Sequence, residues 1–387
     1  MTSNVPNTNG NELAPATLAA QAAGATDRET GGVVPPIHMA STYARGPDYA
    51  LLNPDNSYAR DHNDTLRAAE DLLRALEGAA ATRLFPSGMA AIAALFRTLP
   101  NGARVVVQSG IYWGAAKWIG DFCARRGIAL VQVDAVDDKA LLEALSAPAD
   151  LVWIEVPSNP WLKVADIARA VELAHAAGAL LAVDATAATP VLLRPLDLGA
   201  DVVMHSATKA INGHSDVVAG VLSVADAALP AWEAVLQDRH EAGALLGPVE
   251  AWLLLRGART LPLRIERMCR NAQMVAEYLD THPGIEAVWY PGLPGHAGHR
   301  AAAQQMRDGF GSLMSVLVAG GRNRALAVAG RLRVFHRATS LGGVESLVEH
   351  RHTIEPHTGI PENLLRLSVG IEAIDDLIAD LAQALAV

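Results

Sequence analysis

The sequence predicts an α/β fold with a mostly parallel central sheet and a smaller α+β domain towards the C-terminus. Three observations carry that prediction. From about residue 65 to 245, short apolar runs alternate with stretches of helical spacing. The alternation is strand, helix, strand, which calls for right-handed crossovers and helices on both faces of a parallel sheet. After about residue 250 the regular alternation is lost and a mixed pattern takes its place.

In chain order, Arg67–Leu76 and Ala90–Leu99 have helical spacing. Ala103–Gln108 and Ala129–Val133 are β-rich runs, and Lys139–Leu145 is helical. Leu151–Glu155 (LVWIE) reads as a buried strand. Ala165–Ala177 reads as a helix, Leu180–Asp184 (LLAVD) as the next strand, and Asp201–His205 (DVVMH) as another. Beyond them a long helical pattern runs from Pro248 to Leu279. A β-like run Ile285–Tyr290 follows, then a Pro/Gly loop at Pro291–Gly298. Ser312–Leu317 reads as a strand, and Arg324–Gly330 and Ile374–Ala386 as helices. The expected organisation is an arm over residues 1–60, a large domain over 61–250 and a C-terminal α+β domain over 251–387. No repeat of solenoid period is present.

The chain of 387 residues is long enough for two to three domains at about 150 residues each. It is 51% hydrophobic and 19% charged, which excludes a disordered chain. A net charge of −10 without a long Lys/Arg run argues against nucleic acid as a partner. The longest apolar stretch, Ala176–Leu193, contains Asp184 and is short for a membrane span. Met1–Gly24 lacks the basic and apolar regions of a secretory leader. Two cysteines, Cys123 and Cys269, cannot make a disulfide framework and fit a reducing compartment. Both lie in helical texture and are expected to be buried and inert. The expectation is a cytoplasmic enzyme without membrane contact.

Ligands of an open parallel sheet gather at the carboxyl ends of its strands. LVWIE ends at Glu155 and runs into Val156-Pro157-Ser158-Asn159-Pro160. LLAVD ends at Asp184, and DVVMH runs into Ser206-Ala207-Thr208-Lys209. Any one of these alone reads as a cap or a structural pair; together they suggest a crevice. Ser87-Gly88 just before an apolar helix adds an anion site, against the plain alternative of a Ser N-cap. No dinucleotide fingerprint, P-loop, His-Glu-x-x-His or nucleophile elbow is present. A lysine, an anion cradle and a strand-end carboxylate suit pyridoxal 5'-phosphate.

These residues resemble the Cys/Met-metabolism family of pyridoxal-phosphate enzymes, which includes the cystathionine lyases, cystathionine γ-synthase and methionine γ-lyase. The resemblance runs from about Gly31 to the C-terminus. It rests on His205–Asp216 (HSATKAINGHSD), on Pro157-Ser158-Asn159-Pro160, on Ser340–Leu347 (SLGGVESL) and on Arg366-Leu367-Ser368-Val369-Gly370. It implies the fold type I architecture of aspartate aminotransferase. By resemblance Lys209 carries the cofactor and shuttles protons, Asp184 pairs with the pyridine nitrogen, and Gly88, Met89, Ser206 and Thr208 hold the phosphate. Tyr112 would stack on the ring and take part in catalysis. Tyr58 and Arg60 would reach a neighbour's phosphate, which implies a homo-oligomer, a dimer of dimers, with residues 1–60 as the arm between subunits. Arg366 would grip the substrate carboxylate, with Asn159 and Ser340 orienting substrate and cofactor. Glu155 is expected to support the site.

Departures from the family pattern bear on specificity. Asn63-Asp64-Thr65 stands in place of Asn-Pro-Thr, and Ala185, Ala187 and Ala210 replace larger residues, reshaping the pocket. Thr339 stands where some γ-eliminating members carry Glu, and Glu349–Glu362 is short. The implied activity is elimination of a β- or γ-substituent from a sulfur-containing amino acid. Cleavage of the cystathionine β-lyase kind leads, with γ-elimination, including from oxygen-linked groups, or γ-replacement on an activated homoserine as the alternative. Transamination, a non-catalytic relative and a nicotinamide dehydrogenase are the rival classes. His350-Arg351-His352 and His357 supply no metal geometry and are expected in a solvated or substrate-facing loop. His214 is expected to be structural.

Overall fold

The computed structural model describes residues 13–386. Among them run twelve strands: β1 (Ala81–Phe85), β2 (Arg104–Gln108), β3 (Ala129–Val133), β4 (Leu151–Glu155), β5 (Leu180–Asp184), β6 (Val202–His205), β7 (Gly220–Val224), β8 (Ile285–Trp289), β9 (Leu313–Val318), β10 (His336–Arg337), β11 (Leu347–His350) and β12 (Leu364–Ser368). The fold is α/β with a mostly parallel central sheet, as the alternation predicted.

Two compact units emerge, and neither is continuous in sequence. One joins the residues up to Pro100 with Asp201–Pro262; the other joins Asn101–Ala200 with Leu263–Val387. In the first, β7 pairs antiparallel with both β1 and β6. Helix Asp64–Glu77 belongs to this unit. Asn63 caps it, its side-chain oxygen accepting from the N–H groups of Thr65 and Leu66 at 2.9 and 3.3 Å. A buried pair, His205 Nε2 with Glu77 Oε2 at 2.8 Å, ties that helix to β6. Residues 13–60 carry two short helices and only isolated bridges, such as Thr42 with Tyr58. His38 N–H donates to Thr65 Oγ1 at 2.8 Å and Trp252 Nε1 to the Pro35 carbonyl at 2.9 Å, which hold the segment to the rest of the unit.

In the second unit β3, β2, β4 and β5 lie side by side, all parallel. All five residues of β4 are buried. A strand covered on both faces is apolar throughout, and the terminal Glu155 is the exception. A second sheet has the order β10-β11-β12-β9-β8. Its core includes Tyr290, Phe335, Met314, Leu377 and Leu381, with the terminal helix Ile374–Leu385 packed on it. This is the α+β part expected near the C-terminus.

The long helical pattern from Pro248 is two helices, Pro248–Ala258 and Leu261–Asp280. Pro262 explains the division: it has no N–H to donate, so it suits a helix's first turn and not its interior. His350-Arg351-His352 is not a solvated loop. His350 ends β11, Arg351 opens the helix Arg351–Ile354, and the two are 8% and 2% exposed. His350 is held by Thr353 Oγ1 and by the Glu362 carbonyl, both at 2.7 Å. Both cysteines are buried, as expected.

Candidate active site

The predicted site residues fall in both units. In the first, β1 delivers the chain to Pro86-Ser87 and the helix Gly88–Arg97. Ser87 Oγ accepts from Ala90 N–H at 3.0 Å, so the cap is real, and the first-turn N–H groups of Gly88 and Met89 keep the outward direction of a helix N-terminus. Packing here leaves no room for side chains. A Cβ on Gly88 would lie 2.9 Å from Ser206 Cβ, and one on Gly220 would lie 2.1 Å from the Ser87 carbonyl oxygen. Gly88 and Gly220 thus let the Ser206 side chain and the Ser87 backbone come close to this helix N-terminus, the kind of backbone approach a phosphate site uses.

Beside it the chain turns tightly. Lys209 N–H donates to the Ser206 carbonyl at 3.0 Å, and Gly213 N–H to the Lys209 carbonyl at 2.8 Å. Thr208 Oγ1 accepts from Ala219 N–H at 2.9 Å and is 3.1 Å from the Ala219 carbonyl. The Thr208 hydroxyl donates its proton to that carbonyl and is fixed by both bonds. His214 Nδ1 meets the Asn212 carbonyl at 2.7 Å, a structural role. The exposed Tyr58 carries Arg60 over its ring at 5.2 Å. The buried Arg239 donates to the carbonyls of both Leu84 and Arg60, linking that pair to β1.

In the second unit Glu155 and Asp184 end β4 and β5 in register. Glu155 accepts from Tyr112 N–H and from Asn159 N–H, each at 2.7 Å. Burial, and after it the charge of Asp184, push the Glu155 carboxyl well above its ordinary range. Glu155 thus fixes the backbone of two predicted site residues and is itself 5% exposed, a supporting role. Asp184 Oδ1 accepts from Thr186 N–H at 2.9 Å, which orients the carboxylate. The Tyr112 ring is part exposed at the start of helix Trp113–Arg126 and not a core residue.

The same unit brings Arg366, Asn159 and Ser340 together. Arg366 Nη1 donates to Asn159 Oδ1 at 3.0 Å, and Nη2 to the Ser340 carbonyl at 2.6 Å. Burial draws the guanidinium down to about 10. Ser340 has φ of 94°, a conformation a side chain resists and a functional site tolerates. The sequence reading missed the ring of charge behind Arg366. Glu349 faces it across β11 and β12, and Arg351 and Glu355 complete the group. The available signal was the lone acid in the apolar run Leu347-Val348-Glu349.

The profile of the family described as "Cys/Met metabolism PLP-dependent enzyme" matches residues 16–386. The chain belongs to this family. Within it, the chain is 44% identical over 378 residues to the cystathionine gamma-synthase of Mycobacterium tuberculosis, covering 96% of each. It is 40% identical to the cystathionine beta-lyase of Coxiella burnetii, over 93% of this chain and 94% of that one. A cystathionine gamma synthase from Xanthomonas oryzae, solved with cystathionine, superposes with a TM-score of 0.92 at 37% identity, covering 97% and 98%. Membership makes pyridoxal phosphate the cofactor. In the first unit the helix N-terminus at Gly88, the Ser206 hydroxyl and the amine of Lys209 are groups of the kind a phosphate and an aldehyde take. In the second, Asp184 is a carboxylate of the kind a pyridine nitrogen takes.

Proposed function

We propose that this chain works on the carbon–sulfur bond of cystathionine, with β-elimination to an oxo acid, ammonia and a thiol as the first reading. The observation that carries an amino-acid substrate is Arg366, a buried guanidinium held in place by Asn159 and Ser340. A fixed guanidinium suits an α-carboxylate. Pyridoxal phosphate, when bound, supplies an electron sink for a bond broken at the α-carbon.

The residues then take individual tasks. Lys209 would carry the cofactor, and its ε-amine would be the base that takes the substrate's α-proton. Asp184 would pair with the ring nitrogen and keep it protonated, its carboxylate oriented by Thr186 N–H. Gly88, Met89 and Ser206 would hold the phosphate, Thr208 would join them by turning its hydroxyl from the Ala219 carbonyl, and Tyr112 would stack on the ring. A leaving group on the β-carbon departs after one proton removal; one on the γ-carbon needs a second. Tyr58 and Arg60 serve a neighbouring copy's phosphate, so the working form is a homo-oligomer.

γ-Replacement on an activated homoserine is the second reading, favoured by the 44% identity to a protein named cystathionine gamma-synthase. Product analysis separates the two. Pyruvate with homocysteine from L-cystathionine supports β-elimination. Cystathionine formed from an acylated homoserine and cysteine supports replacement, and 2-oxobutyrate with cysteine would overturn the first reading.

A further inference from the structure

Glu349 and Arg366 stand opposite one another in the β11–β12 ladder. Glu349 Oε2 lies 2.6 Å from Arg366 Nη2 and 2.6 Å from Arg351 Nη1. Arg351 Nη2 pairs in turn with Glu355. All four side chains are at most 4% exposed. Two arginines and two glutamates make this buried group neutral with all four ionised. Two of its atoms, Glu349 Oε1 and Arg351 Nε, are buried without a hydrogen-bond partner.

A guanidinium presents two forks to a carboxylate, one from Nη1 with Nη2 and one from Nε with Nη2. Both need Nη2. On Arg366 that nitrogen donates to the Ser340 carbonyl and has Glu349 Oε2 beside it. A substrate carboxylate that takes either fork therefore meets an oxygen of this protein. The Ser340 oxygen is fixed backbone. Glu349 is a side chain, and Arg351 is a second cation that can keep it.

We propose that Glu349 sets substrate affinity by occupying Arg366 in the substrate-free protein and yielding it to the substrate's α-carboxylate, while staying paired with Arg351. This rests on the reading of Arg366 as the carboxylate anchor. Glu349 is a positioning residue that acts through Arg366. Its charge opposes an incoming carboxylate, and the orphaned Arg351 Nε gives the displaced Glu349 a donor to turn to.

The test titrates cofactor-loaded wild type, Glu349→Gln and Arg366→Lys with L-norvaline, which has an α-carboxylate and no leaving group. Cofactor absorbance and melting temperature are followed. Glu349→Gln should bind about tenfold more tightly, and Arg366→Lys about tenfold more weakly. Without ligand Glu349→Gln should melt lower than wild type, and L-norvaline should raise its melting point more. In turnover the gain should fall in KM rather than kcat. Equal or weaker binding by Glu349→Gln, with Arg366→Lys still weakened, would overturn the role of Glu349 alone. Unchanged binding by Arg366→Lys would overturn the anchor itself. Glu349→Asp, with the charge kept and the reach shortened, should show a smaller gain; if the Gln variant does not fold, no gain from Asp overturns the proposal.

Discussion

Glu155 and Asp184 end adjacent parallel strands in register, and the buried Glu155 carboxyl spends both its oxygens on the backbone N–H groups of Tyr112 and Asn159. Its affinity for a proton is raised above the ordinary 4.5, first by burial and then by Asp184. The native state therefore holds this proton more tightly than the unfolded chain does. Stability falls as pH rises from about 4.5 through the native value.

Glu155→Gln follows from that balance. Glutamine has one acceptor oxygen for two N–H groups, so it should cost about 1–3 kcal/mol near pH 5. It does not ionise, so the deficit against wild type should narrow as pH rises. Melting curves from pH 5 to 8 read this, and a deficit that widens with pH would contradict the assigned shift.

Replacing Lys209 tests the chemistry. Lys209→Ala should cut turnover of L-cystathionine by about 10²- to 10⁴-fold or more, since it removes the proposed proton carrier. The melting temperature of the cofactor-free protein should change little. Ordinary turnover by the variant would remove Lys209 from the mechanism.

The close packing at Gly220 makes a steric prediction. An alanine methyl at Gly220 would fall 2.1 Å from the Ser87 carbonyl oxygen. Gly220→Ala should cost about 1–3 kcal/mol and weaken pyridoxal phosphate binding, measured by melting and by cofactor titration. Gly120, inside helix Trp113–Arg126, has nothing within 4 Å of such a methyl. Gly120→Ala should instead stabilise the protein by about 0.5–1 kcal/mol and leave cofactor affinity alone.

Both cysteines should resist a thiol reagent. Burial pushes the Cys269 thiol up to about 11 and raises Cys123 as well. Reaction with an aromatic disulfide reagent at pH 8 should be absent over minutes and appear for two thiols on denaturation. Prompt labelling of the native protein would show a path to one of them.

Part of the candidate site was legible because its residues sit where strands end. The ends of β4 and β5 at Glu155 and Asp184 could be placed to the residue, since a buried run is bounded by its first polar side chain. Ser87 as a helix cap was legible for the same local reason. The strands β1, β7, β10, β11 and β12 were not. Gly220–Val224 opens on a glycine, its flanks carry little helical signal, and β-structure depends on neighbours the local sequence does not name.

By itself the sequence determined the α/β class, because periodicity is local, and, through its motifs, the family and its cofactor. Tertiary structure decided that the compact units interleave the chain, that Gly220 closes on Ser87, and that Glu349 stands opposite Arg366. Those pairings join residues 17 to 133 positions apart. Register and packing set such distances, and the cost of burying four charges together is met only once β11 and β12 bring opposite signs into contact.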